Sequence, residues 1–88
     1  MKKEVGSVTP EERDRILELF ERKNGLSELL AAVDPSNEAL YEKLVKDMGH
    51  TTTLFKKWWD EKAAKYSWQS REGGHWEIDF DTCLIYLV

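Results

Sequence analysis

A chain of 88 residues, 41% of them apolar and 34% charged, makes one domain with room for one modest core. That composition argues against wholesale disorder, and a formal net charge of −4 argues against a protein that neutralises nucleic-acid phosphates. One cysteine excludes an internal disulfide, no apolar stretch approaches the roughly 18 residues of a membrane span, and the charged start Met1-Lys2-Lys3-Glu4-Val5 lacks the apolar run of a signal peptide, so a bacterial-type cytoplasmic setting is expected.

Residues 1–8 read as a short polar lead, with Val5 or Val8 stapling onto the first helix. Thr9-Pro10-Glu11-Glu12 is a strong helix start. Thr9 is a good N-cap, Pro10 stands at N1 where a missing N–H costs nothing, and Glu12 at N3 completes a capping box. Ile16, Leu19, Phe20, Leu26, Leu29, Leu30 and Val33 then recur at helical spacing. Asn24-Gly25 resembles a turn, but the apolar phase carries through it. A single helix over 10–33 is expected, weakened at Gly25 by about 1 kcal/mol relative to alanine.

Asp34-Pro35-Ser36-Asn37 supplies a loop and the next N-cap. The second apolar series is Leu40, Tyr41, Leu44, Val45 and Met48, continuing through Thr52, Phe55, Trp59, Ala63 and Tyr66. Either one helix spans 36–67 or two helices meet at a kink near Gly49-His50. Three β-branched threonines directly after His50 favour the kink or break.

Trp68 to Gly74 reads as a loop. In residues 75–88 the period switches to strict alternation, with Trp76, Ile78 and Phe80 on one face and Glu77 and Asp79 on the other. An apolar run follows, which predicts a β-hairpin. A two-residue turn at Asp81-Thr82 would pair Phe80 with Cys83, Ile78 with Ile85 and Trp76 with Leu87 on an apolar face. Glu77 would then stand opposite Tyr86, and Asp79 opposite Leu84, on a second face that is half acidic and half apolar. The expected fold is α+β: a helical hairpin of two or three helices, then an antiparallel β-hairpin packed on the helices.

The residues carry no catalytic set. Glu77, Asp79 and Asp81 offer oxygen ligands suited to a hard cation, yet strand carboxylates more commonly mark a solvated face. His50, His75 and Cys83 have zinc-binding atoms at the wrong spacing, and the register sets His75 too far along the ladder to activate Cys83. No metal or cofactor is expected. The lysines 56, 57, 62 and 65 read as a solvated face interleaved with Asp60 and Glu61. Among the aromatics, Trp59, Tyr66 and Trp76 are assigned to the helix–hairpin core, whereas Trp58 and Trp68 are candidates for exposed anchors at a partner interface. If Cys83–Val88 forms a sheet edge, its backbone is open to an added strand, and Leu84 and Tyr86 lie beside it.

Val8-Thr9-Pro10-Glu11-Glu12-Arg13-Asp14, Phe20-Glu21-Arg22-Lys23, Leu40-Tyr41-Glu42-Lys43-Leu44-Val45-Lys46-Asp47-Met48-Gly49, Trp58-Trp59 and residues 76–87 together resemble the small proteins of CXXX repeat peptide modification systems, over nearly the whole chain. None of these strings is a catalytic signature. The resemblance implies a non-enzymatic accessory to the making of a ribosomally synthesised, post-translationally modified peptide, binding the precursor peptide, its maturase or both. The expected partner contacts are Trp58, Trp68, Leu84 and Tyr86. Two other readings stand beside it: a structural homo-oligomer, motivated by the broad apolar arc of residues 54–66, and a small antitoxin-like regulator, disfavoured by the acidic balance.

Overall fold

A computed structural model describes residues 2–88. The chain runs strand β1 (Lys3–Ser7), helix α1 (Pro10–Ala32), helix α2 (Glu38–Tyr66), strand β2 (Trp76–Asp79) and strand β3 (Leu84–Leu87). The α+β architecture is as expected: a helical hairpin carrying an antiparallel sheet.

The N-terminus of each helix is the one that its sequence dictates. Thr9 caps α1 by accepting from the Glu12 N–H, and Glu12 Oε1 accepts from the Thr9 N–H at 2.9 Å, completing the capping box. Asn37 caps α2 by accepting from the Leu40 N–H. Ser67 closes α2 in the left-handed region, φ 53°.

The expected break near Gly49-His50 does not occur; α2 is continuous. The threonines are absorbed locally. Thr51 is fully buried in the seam, where its hydroxyl accepts from Arg22 Nε on α1 at 3.1 Å. Thr53 donates to the Gly49 carbonyl at 2.9 Å within its own helix. Packing of α2 on α1 thus overrides a modest local penalty.

The expected lead over residues 1–8 is corrected too: residues 3–7 form a strand. It pairs with β3 in the register Lys3↔Leu87, Glu4↔Tyr86, Gly6↔Ile85, Ser7↔Leu84, with a bulge between Glu4 and Gly6. The sheet order is therefore β1-β3-β2, and β3 is the central strand. The β2–β3 register is the expected one: Trp76↔Leu87, Glu77↔Tyr86, Ile78↔Ile85, Asp79↔Leu84. The turn differs. Phe80 and Cys83 do not pair; they belong to a four-residue loop in which Cys83 donates its N–H to the Asp79 carbonyl at 2.8 Å. The Asp79 carboxylate accepts from the Asp81 and Thr82 amides, and Cys83 takes the left-handed conformation, φ 62°. Two-residue and four-residue loops centred on the same bond preserve the same register.

The core is built where the sheet meets α1 and the second half of α2. Val8, Ile16, Leu19, Trp58, Trp68 and Ile85 form its buried cluster, flanked by Phe55, Trp59, Ala63, Tyr66, Trp76 and Ile78. Beyond the sheet the two helices project as an arm. The radius of gyration, 15.5 Å, exceeds the ~12 Å of a compact chain this long.

Candidate partner interface

The residues expected to touch a partner divide into two pairs. Trp58 and Trp68 are 5% and 7% exposed, so they are core residues and not surface anchors. The physical reason is crowding at one corner: α2 ends where the sheet begins, and four indoles meet there. Trp58 contacts Trp59 edge-on at 5.0 Å between ring centroids. Trp68 stacks on Tyr66 at 5.8 Å and meets Trp59 and Trp76 edge-on. Among the described residues, neither buried indole N–H, of Trp58 or of Trp68, has a hydrogen-bond partner. Both rings are therefore held by shape and stacking.

Leu84 and Tyr86 lie on the sheet face turned away from the helices, each half-buried. Paired residues share a face, so that surface also carries Glu77 and Asp79 from β2 and Glu4 and Ser7 from β1. Lys2 reaches across it to Glu77 at 2.8 Å, and His75 Nε2 stands 3.5 Å from the same carboxylate. The hydrogen bond and charge of Lys2 hold Glu77 below the usual carboxylate range, and Glu77 in turn raises Lys2. The half-acidic, half-apolar face read from the alternation is present: it carries Glu4, Glu77 and Asp79, of which Glu77 is paired with Lys2.

Because β3 is central, the expectation that Cys83–Val88 offers a free edge is corrected: both of its sides are occupied. The open edges belong to β1 and β2. Those strands are differently protected. β1 carries Lys3 and a bulge, two devices that discourage edge pairing. β2 has neither bulge, lysine nor proline.

The ladder also says which β2 groups face outward. His75 and Val88 exchange both N–H···O bonds, at 3.1 and 2.8 Å. Bonded and non-bonded pairs alternate in an antiparallel ladder, so Glu77–Tyr86 and Asp79–Leu84 are bonded pairs, while Trp76 and Ile78 turn N–H and C=O to the open side. No backbone bond beyond the ladder is made by Trp76 or Ile78 among the described residues. The Trp76 ring is fixed at this edge by its Nε1 donating to the Gln69 carbonyl at 2.9 Å. At the hairpin tip, Arg13 Nη1 donates to the Phe80 carbonyl at 2.6 Å and Phe20 packs on Phe80 at 5.4 Å.

A second unpartnered surface lies on the arm. Tyr41, Met48 and Phe55 follow one helical stripe at seven-residue spacing, and Val45, Thr52, Trp59 and Tyr66 follow its neighbour. The ends nearest the sheet are covered by it, whereas Tyr41 and Val45 are exposed, as are Leu29 and Leu40 near the helix turn. The apolar arc of residues 54–66, which motivates the homo-oligomer reading, is partly buried against the core, whereas the earlier turns of α2 are bare.

Among the described residues no group of three or more His, Cys, Asp and Glu is arranged to hold a metal ion. No helix of the described residues is long and apolar enough to cross a membrane. No protein-family profile, curated protein or solved structure matches this chain.

Proposed function

We propose that this protein is a non-enzymatic accessory module that binds a peptide or protein partner, in the setting of a ribosomal-peptide modification system, where it holds the precursor peptide, the maturase or both. The observation that supports the reading is the open edge of β2, whose Trp76 and Ile78 amides and carbonyls have no backbone partner among the described residues. Extended peptides are commonly captured by adding a strand to such an edge. Leu84 and Tyr86 contribute from the adjoining outer face, and the setting comes from the sequence resemblance. The experiment is retention on the tagged full chain from its own source lysate, with mass spectrometry of the bound fraction. A cysteine-repeat peptide or a maturase-like enzyme is the expected result, and its loss on alanine substitution of Tyr86 would tie the contact to the sheet. Retention of the chain alone would overturn the reading.

A homo-oligomer is the second reading, favoured by the bare arm with Leu29, Leu40, Tyr41 and Val45 exposed. Two arms packed face to face would form a four-helix bundle and cover these side chains. Light scattering at tens of micromolar decides it: a dimer that Val45→Glu converts to monomer supports it, and a monomer for the unaltered chain removes it.

A further inference from the structure

The β2 edge differs on its two sides, and the difference specifies what fits beside it. An added strand would bond to the outward N–H and C=O groups of Trp76 and Ile78. Its alternate side chains then fall on opposite faces. Those on the helix side meet an apolar shelf formed by Trp76, Ile78, Phe80 and the exposed ring of Phe20. Those on the outer side lie next to Glu77 and Asp79, within the roughly 5 Å that separates cross-strand neighbours. Lys2 already neutralises part of Glu77, but no ammonium or guanidinium is bound to Asp79 among the described residues. Like charges placed directly opposite on neighbouring strands repel. An acidic peptide is therefore disfavoured on the outer side and a polar or charged one on the helix side.

We infer that the β2 edge binds an extended peptide in which apolar side chains alternate with basic ones, the apolar set lying on the Trp76–Ile78–Phe80–Phe20 shelf and the basic set beside Glu77 and Asp79. This rests on the peptide-binding reading above and adds the site and the chemical class of the peptide. The β1 edge is not the site, because Lys3 and the bulge at Glu4/Gly6 interrupt it.

The test titrates the isotopically labelled full chain with three synthetic octapeptides: alternating Val-Lys, alternating Val-Glu, and Val-Lys N-methylated at every amide. The expected result is saturable shifts of the Trp76 and Ile78 amides with the Val-Lys peptide, an affinity at least tenfold above that for Val-Glu, and no binding of the methylated peptide. In a Glu77→Gln/Asp79→Asn variant, which keeps the Asp79 turn acceptor as an amide oxygen, the preference falls below threefold. Equal binding of the Val-Lys and Val-Glu peptides at the β2 amides would overturn the alternation rule while leaving peptide capture intact. Shifts confined to Glu4 and Ser7 would overturn the site. Absence of any shift with every peptide at millimolar concentration would overturn the inference, and the lysate experiment then decides separately whether another partner exists.

Discussion

Gly6 and the indole of Trp68 are in direct apposition: a Cβ placed on Gly6 would lie 2.6 Å from Trp68 Nε1 and 2.8 Å from Cδ1. The glycine is required here by close approach, not by its dihedral angle. Its absent side chain lets β1 lie over the ring that Tyr66, Trp59 and Trp76 hold from the other sides. Because the ring is caged, it has no room to yield. Gly6→Ala is expected to destabilise the fold by about 2 kcal/mol through overpacking, read as a lowered denaturant midpoint with unchanged m-value. An unaltered midpoint would show that β1 can shift freely over the indole.

Glu12 gathers more partners than any other carboxylate described. Its Oε1 accepts from the Thr9 N–H and the Tyr66 hydroxyl, and its Oε2 faces Lys65 at 3.0 Å and Lys62 at 3.5 Å. Burial alone would raise its pKa. The hydrogen bonds from Thr9, Tyr66 and Lys65 outweigh burial and hold the carboxyl at about 2, below its ordinary 4.5. The unfolded chain therefore binds the proton first as pH falls, so this stabilisation is complete above about pH 5 and disappears between there and about pH 2. Glu12→Gln is expected to cost on the order of 2 kcal/mol at pH 7. It should also flatten the acid limb of the stability profile, measured by thermal melts from pH 2 to 7. A variant as acid-sensitive as the parent would place the critical carboxylate elsewhere.

Gly25 and Ser67 are mismatched to their positions in opposite ways. Gly25 lies inside α1 with nothing within 4 Å of a prospective Cβ, so Gly25→Ala should add up to about 1 kcal/mol. Ser67 occupies a left-handed helix terminus at φ 53°, a conformation that glycine adopts without strain. Ser67→Gly should stabilise by roughly 0.5–1 kcal/mol. Thermal melts of the two single variants and the double variant would check both, with near-additive gains because the sites share no partner.

Trp58 gives a fourth kind of prediction. Its indole N–H is buried without a partner among the described residues, so Trp58→Phe removes volume but no hydrogen bond among them. The loss should stay below that of Trp58→Ala, which forfeits about 3–5 kcal/mol of packing. Equal losses for the two substitutions, measured by denaturant unfolding, would mean that an unrecognised polar partner holds the ring.

The sequence made some features legible and hid others for identifiable reasons. The α1 cap was readable because Thr9, Pro10 and Glu12 stand at fixed positions whose chemistry is local. The β2–β3 register was readable because alternation over residues 76–80 leaves one pairing that puts all the apolar residues together. β1 was not readable: its bulge falls within five residues, interrupts the period of two, and leaves only Val5 as an apolar marker. Without β1 the hairpin leaves β3 open as an edge; with it, β3 is central and the open edge beside it is that of β2. The fates of Trp58 and Trp68 were equally hidden, because a tryptophan's exposure depends on which elements converge on it. Leu84 and Tyr86 lie on the outer face that the alternation assigned to them.

The central place of β3 bears on the order in which the protein is made. It is the last of the three strands to be synthesised and the sole neighbour of both others. The helices rest on local bonds that can form as each segment emerges, but Lys3–Ser7 and Trp76–Asp79 have no ladder until Leu84–Leu87 exist. Until then, the nascent chain presents Trp58, Trp68 and their neighbours without the sheet that encloses them. A chain cut short before Leu84 would keep its helical signature, lose both ladders together, and expose a tryptophan-rich surface of the kind that chaperones and proteases recognise.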